Sequence, residues 1–369
     1  MSFPFECLPQ QDLYQCLKAA SRPIVIYGMG DGAAKLLYVL EQKGVKICGI
    51  CASDDFVRGQ SFMGYPVLTC QQSVDTFGEP IFLIAFASRR PEVICHIRQL
   101  SQKHRVYIPD INVYGDVGEV FDSSYLASHK EDLQQLYEAL ADDDSKRFLV
   151  ELICYKLSGQ PQYLWNLDRR RKDPRSYIPS ARSYCDLGAY NGDSLLEWKA
   201  LHPEMRFALA VEPNVAQFKK LSALDLGIEK ICVNAAVSDH NGEDHLGGEK
   251  GRGASLLTGA IIPGVRQTKS KPVRITTLDA LISENAITSL DLIKFDVEGF
   301  ELRAIIGSQN TIQKLRPALV VSAYHQNKDL FCLYRECAKL LFPCKVYLSR
   351  ANKCFPAWET EFTIIPDIV

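Results

Sequence analysis

The sequence predicts an α/β protein: a doubly wound, mostly parallel sheet with an antiparallel last strand, preceded by a helical connector and a smaller α/β domain. Three observations carry this. Apolar runs of strand length alternate with helical spacing over residues 23–110 and again over 183–365, the stretch between them has helical spacing only, and the last two strand-like runs have no helix between them. A length of 369 residues suits two domains of ordinary size.

In the first domain, PIVIYGMG (23–30) is an apolar strand running into glycines, DGAAKLLYVLEQKG a helix stopped by Gly44, and VKICGICAS a second strand. PIFLIAF (80–86), a helix from Pro91 to about His104 and RVYIPD (105–110) continue the alternation, and the domain ends near residue 120. Residues 125–165 read as helices broken at Ser158-Gly159-Gln160-Pro161, and DRRRKDPR (168–175), with five basic residues, reads as a solvated linker face. The boundaries are therefore 1–120, 121–175 and 176–369.

The second alternation has strands at SYCDLGA (183–189), FALAVEP (207–213) and KICVNAAVS (230–238), with helices from Asp193 to about Leu201 and from Val215 to about Leu226. A glycine-rich and basic insertion (247–274) follows, which reads either as a segment covering an acceptor at the sheet rim or as a surface β-excursion with solvated charges. After it come a helix capped by Thr277, a strand at LDLIKFDVEG (290–299), a helix to about Leu315, a strand at ALVVSAYH (318–325) and a helix to about Leu341. KVYLS (345–349) and ETEFTII (359–365) close the chain as a hairpin-like pair.

Lys and Arg number 42 against 44 Asp and Glu, so the chain carries no field suited to gripping nucleic acid. No apolar run approaches the ~20 residues of a membrane span, and no secretory leader opens the sequence, so the expectation is a soluble, cytoplasmic protein. The 13 cysteines are odd in number and spread along the chain, with Cys48, Cys95, Cys154, Cys185 and Cys232 inside apolar runs. Cys48 and Cys51 form the single C-x-x-C, inside a predicted strand, and Cys332, Cys337, Cys344 and Cys354 lack zinc-ligand spacing. Reduced structural thiols are expected.

The sharpest site signal is DLGAYNGDS, with Asp186, Gly188, Asn191 and Gly192 at the end of a strand. Its D-x-G-x-x-x-G spacing differs from the G-x-G-x-x-G that admits a pyrophosphate, and suits a ligand without one, such as S-adenosylmethionine. Glu212 ends the next strand, where a carboxylate accepts hydrogen bonds from ribose hydroxyls. In Lys294-Phe-Asp296-Val-Glu298, strand alternation turns the three charged residues to one side. Asp296 and Glu298, if close, share a proton or hold a divalent cation, and His325, ending the neighbouring strand, is a candidate general base. The same patterns also have structural readings, with Glu298 capping the next helix and His325 a satisfied core residue.

The succession DLGAYNGDS, VEPNVAQFKKL, NAAVSDHNGE, VRITTLDALI and LDLIKFDVEGFELRAIIGSQNTIQKLRPALVVSAYH resembles the FkbM family of S-adenosylmethionine-dependent methyltransferases over roughly residues 183–326. The resemblance implies a class I methyltransferase fold and O-methylation of a hydroxyl on a sugar, glycan precursor or secondary metabolite. It implies cofactor binding by Asp186, Gly188, Asn191, Gly192, Glu212, Ala236 and Asp296, and catalysis by Asp296, Glu298 and His325.

Gly28-Met-Gly30-Asp-Gly32-Ala33 matches G-x-G-x-x-A between a strand and a helix, and Asp54 and Asp55 follow the second strand. This layout resembles Rossmann-like domains attached to sugar-modifying enzymes, which implies a nucleotide or nucleotide-sugar ligand at Gly28, Gly30 and Ala33, or a sheet that mediates homo-oligomerisation. Two alternatives to methyl transfer stay open: a nicotinamide-dependent sugar oxidoreductase using this loop, and a non-catalytic cofactor-binding scaffold.

Overall fold

The computed structural model describes residues 2–113, 117–167, 172–248, 254–256, 271–351 and 356–367. Its first sheet is built from β1 (Ile24–Tyr27), β2 (Gly49–Ala52), β3 (Ser61–Phe62), β4 (Tyr65–Thr69), β5 (Ile81–Ile84) and β6 (Arg105–Tyr107), in the order β3-β4-β2-β1-β5-β6. Every pairing in it is parallel except β3 with β4. Helices α1 (Leu13–Ala19), α2 (Asp31–Gln42), α3 (Cys70–Phe77) and α4 (Pro91–Lys103) accompany it. Capping boxes start α1 at Asp12 and α3 at Thr69, each side chain taking the backbone N–H three residues on.

The helical stretch comprises α5 (Ser123–Ser128), α6 (Lys130–Ala139), α7 (Asp143–Ser158) and α8 (Pro161–Leu167). Asp142 caps α7, and Gly159 ends it at φ 64°, a left-handed conformation that costs a residue without Cβ nothing.

The second large sheet contains β7 (Ser183–Leu187), β8 (Phe207–Val211) and β9 (Glu229–Val233), with α9 (Asp193–Leu201) connecting β7 to β8 and α10 (Val215–Ala223) connecting β8 to β9. The chain then leaves it for a small sheet of β10 (Ala236–Val237), β11 (Gly242–Gly248), β12 (Ala254–Leu256) and β13 (Lys271–Thr276). It returns through α11 (Leu278–Glu284), β14 (Leu292–Phe295), α12 (Glu301–Ile306), α13 (Gln309–Leu315), β15 (Ala318–Ser322), α14 (Asp329–Leu341), β16 (Cys344–Arg350) and β17 (Thr360–Pro366). The strand order is β16-β17-β15-β14-β7-β8-β9, with β17 antiparallel to both neighbours and the remaining pairs parallel. This is the expected doubly wound sheet with an antiparallel last strand in sequence.

Two details depart from the sequence reading. KICVNAAVS is two strands, because Asn234 donates from Nδ2 to the carbonyls of Glu212 (2.8 Å) and Pro213 (3.1 Å) and turns the chain toward the small sheet. The helix expected to run to Leu315 breaks at Gly307, where a Cβ would strike the Ser238 carbonyl, and Asp279 receives the N–H of Asn310 (3.1 Å) and Thr311 (2.8 Å) at the new start.

The edge strand β16 is covered from the connector: Ala141 N–H donates to the Val346 carbonyl (2.8 Å), and Leu348 N–H to Ser145 Oγ (3.1 Å). Satisfying these groups removes a ready template for association of edges. The cysteines among the described residues are free thiols, and no described helix is long and apolar enough to cross a membrane.

Candidate active site

In an open α/β sheet, ligands sit beyond the carboxyl ends of the strands where the strand order reverses, here between β7 and β14. Gly188 leaves β7 at φ +88°, and a Cβ there would collide with the Asp296 carbonyl at the end of β14. The N–H groups of Gly188 and Ala189 both donate to the Val211 carbonyl at 3.0 Å, folding the loop back over β8. Gly192 follows at φ +92° with Leu224 and Leu221 against it. Asn191 Oδ1 receives the Asp193 N–H (3.2 Å) at the start of α9.

Glu212, 6% exposed, receives the N–H of Tyr190 (2.8 Å) and Asn214 (2.7 Å), one on each oxygen. Burial pushes its carboxyl up to about 7; the two N–H donors oppose this, and the charges of Glu298 and Asp186 add to it. Asp186 is fully buried, with Ser194 Oγ donating to Oδ2 at 2.5 Å. Its Oδ1 has no hydrogen-bond partner among the described residues. Burial raises its pKa against the pull of Lys294 and Ser194.

Lys294 and Asp296 lie on one side of β14, as alternation predicts, with Nζ 2.8 Å from Oδ2. Burial disfavours the Asp296 carboxylate, yet Lys294 and His325 outweigh it and hold the group down at about 2. Lys294 is driven above its ordinary value despite burial, by Asp296 and Asp186. Tyr324 Oη stands 3.4 Å from Asp296 Oδ1.

His325 is fully buried, with Nδ1 3.1 Å from Glu301 Oε1 and Nε2 3.4 Å from Glu298 Oε2 and 3.9 Å from Asp296 Oδ1. Burial disfavours the imidazolium, but Glu301 and Glu298 outweigh it and hold the ring well above its usual pKa. Glu298 adopts φ +57° and Gly299 φ +92°, two left-handed residues in succession. Such strain in a non-glycine residue costs roughly 1–3 kcal/mol and gathers at functional sites. No side chain caps α12, the role considered for Glu298; Glu301, 1% exposed, instead holds the turn before the helix, its Oε1 receiving the N–H of Val297 (2.9 Å) and Gly299 (3.3 Å). Ligand atoms of Asp296, Glu301 and His325 lie within 4.8 Å of one another.

Sequence reasoning missed Glu301, Tyr324 and Asp329. Asp329 is buried, receives the Gln326 N–H (2.8 Å) and is pushed up to about 7 by burial and by Glu301. Each missed residue stands within a few positions of one that was identified, but an acidic residue opening a helix is ordinarily a solvated one, so the pattern carried no distinguishing signal.

The loop carrying His325 rests on Asn112, Val113 and Glu119, which follow the first sheet. Val113 N–H donates to the His325 carbonyl (3.0 Å) and Asn327 N–H to Asn112 Oδ1 (3.0 Å). Glu119 O accepts from both Asn112 Nδ2 (3.1 Å) and Asn327 Nδ2 (3.3 Å).

Ala236 pairs with Ile275 in the small sheet and packs with Val273 and the partly buried Phe300. The Gly28–Ala33 loop belongs to the first sheet. Gly28 (φ +137°) packs under Phe86, a Cβ on Gly32 would strike the Ala85 carbonyl, Gly30 faces open space and Ala33 is buried. Asp54 and Asp55 sit in a short turn of helix after β2. In the basic linker, Arg175 pairs with Asp173 (2.7 Å) and Glu197 (2.6 Å), while residues 168–171 lie outside the described residues, as does most of the 247–274 insertion.

Residues 186–343 match the family model described as the methyltransferase FkbM domain. The chain is similar in fold to the crystal structure of methyltransferase FkbM from Methylobacillus flagellatus KT, with TM-score 0.68, 16% identity, and 93% of this chain and 90% of that one covered. A spermidine synthase complexed with a transition-state analogue aligns at TM-score 0.32 and 13% identity, over 52% of this chain and 55% of that one, too loosely to bear on function. No curated protein matches the sequence.

Proposed function

We propose that the chain, whose residues 186–343 match the methyltransferase FkbM domain model, transfers a methyl group from S-adenosylmethionine to a hydroxyl oxygen of a sugar, glycan precursor or secondary metabolite. What carries the reading is the rim itself. A glycine cradle that a Cβ would fill at Gly188, an orphaned buried acceptor at Asp186 Oδ1 and the acid Glu212 converge at one reversal of strand order. The cradle admits the methionine end, Asp186 Oδ1 meets its ammonium group, and ionised Glu212 accepts the ribose hydroxyls.

When bound, S-adenosylmethionine supplies an electrophilic methyl group. The chain must align the acceptor hydroxyl with it and take the hydroxyl proton. Asp296, held at about 2, is too weak a base and instead accepts a hydrogen bond that orients the acceptor. His325 is fully buried and held protonated, so it positions Glu298 rather than touching substrate. Glu298, strained and partly exposed, takes the proton.

A divalent ion in the Asp296, Glu301 and His325 cluster would have to displace the contacts of His325 Nδ1 with Glu301 and of Lys294 with Asp296. Two cationic groups already balance these carboxylates, so we derive no step through a metal. The nicotinamide alternative weakens because packing against Phe86 and Ala85 accounts for Gly28 and Gly32. In the same reading, residues 1–120 are an accessory domain, 121–175 a connector and 176–369 the catalytic domain.

Calorimetric titration with S-adenosylmethionine, S-adenosylhomocysteine, NAD and NADP tests the cofactor, and labelled-methyl transfer over hydroxylated sugars and metabolites tests the reaction. Binding of the nicotinamide cofactors alone would sink the proposal.

A further inference from the structure

At the opposite end of the strands of the first sheet from its glycine loop lies an open cavity of about 850 Å³, lined by Arg22, Arg98, Lys103, His104 and Arg105 together with Trp165. It opens between the start of β6, the end of α4 and the first turns of α8. No carboxylate lines it among the described residues. The volume is that of a small-molecule site.

The charges are not accounted for internally. Arg147, Arg274 and Arg335 elsewhere each have a carboxylate partner, and within the cavity Arg22 reaches Glu79 at 3.4 Å. Arg98, Lys103 and Arg105 have no ion pair among the described residues. Lys103 gains from the carboxyl end of α4, where a helix favours cations, but Arg98 and Arg105 have no such compensation. Arg98 lies over the Trp165 ring at 4.5 Å, which restrains the guanidinium before any ligand arrives. Arg98, Lys103 and Arg105 are exposed, so water screens their mutual repulsion, and an anion seated among them relieves what remains.

We infer that this cavity binds a small phosphorylated molecule, with its phosphate groups held by Arg98, Lys103 and Arg105. A small ligand is favoured over a nucleic acid because the basic residues form one concave cluster on a chain of net charge −2. The site is separate from the methyl-transfer rim and joins the first sheet to the connector, so occupancy ties these two parts together.

The test is calorimetric titration of the full chain with inorganic pyrophosphate, a nucleoside diphosphate and a sugar phosphate, repeated at rising salt. Saturable binding that weakens with salt is expected, and Arg98→Glu with Lys103→Glu and Arg105→Glu reduces it by at least about tenfold. Preference for the nucleoside diphosphate over pyrophosphate identifies a nucleotide, and preference for the sugar phosphate identifies a phosphosugar; either supports the site. The melting temperature of the triple variant reports folding, and single Lys103→Glu, weakening binding less, serves if the triple variant is unstable. Absence of saturable binding to the wild type, binding unchanged in a folded variant, or far tighter binding of a short RNA or of anionic vesicles would overturn the assignment.

Discussion

Asn327 donates its backbone N–H to Asn112 Oδ1 at 3.0 Å, joining residues 215 positions apart. Both are buried, and two residues before Asn327 the His325 carbonyl takes the Val113 N–H. The segment after the first sheet therefore helps to set the height of the loop that holds the histidine.

Asn112→Ala removes the acceptor and leaves a buried N–H without a partner, at a cost of about 1–3 kcal/mol. A lower melting temperature and slower methyl transfer are expected, with S-adenosylmethionine affinity nearly unchanged because Gly188 and Glu212 lie on other strands. Unaltered turnover in calorimetry-validated protein would show that the contact does not bear on the site.

Gly188→Ala places a Cβ against the Asp296 carbonyl at a residue with φ +88°. Loss of cofactor affinity by more than about tenfold is expected, because relief of the clash requires β7 and β14 to part at the cradle. Isothermal titration with S-adenosylhomocysteine measures it.

Asp296→Asn keeps the shape of the side chain but removes the charge that pairs with Lys294 and faces His325. Turnover should fall by about a hundredfold or more, the scale of losing a positioned polar group. Intact turnover with cofactor still bound would remove Asp296 from the machinery.

Glu212, with its carboxyl at about 7, must be ionised to accept two ribose hydroxyls. Cofactor affinity should therefore rise between about pH 6 and pH 8. Glu212→Gln should bind more weakly and with a flat profile over that range.

The buried carboxyls Glu212, Asp329 and Glu361 stand at about 7, about 7 and about 8, each raised chiefly by burial. A raised acid binds its proton more tightly folded than unfolded, so the stability it contributes is present at low pH and is lost as pH climbs from the unfolded value through the folded one. The melting temperature should fall from about pH 5 to pH 8, and Glu361→Gln should flatten that decline by roughly 1 kcal/mol or more at the upper end. A melting temperature that rises over this window would contradict the burial of these groups.

Chelation makes a further test. With Lys294 and His325 already balancing the carboxylates, methyl transfer should survive excess EDTA. Activity abolished by the chelator and restored by a divalent ion would reassign Asp296, Glu301 and His325 as ligands.

Much of this site is local information. Asp186, Gly188 and Glu212 were legible because a strand entering a glycine turn, and an acid ending the next strand, are patterns a few residues long. Lys294 and Asp296 share a side of β14 because side chains alternate along a strand. Glu301 was not legible: its place beneath His325 depends on how the Glu298-Gly299 turn bends, and both residues there adopt left-handed backbone. Nor did the sequence distinguish His325 as a base from His325 as a buried cation, since that depends on burial and on carboxylates brought from β14 and α12.

By itself, then, the sequence determined the alternation of strands and helices, the antiparallel ending and the rim where glycines and acids gather, because periodicity and turn chemistry act between near neighbours. The tertiary structure alone decided which acids face the histidine, which carboxyls titrate near neutral pH, that Asn112 supports a loop 215 residues away, and that Arg98, Lys103 and Arg105 share one cavity with Trp165. These are properties of desolvation and of charges meeting across the fold, and no window of sequence contains both partners.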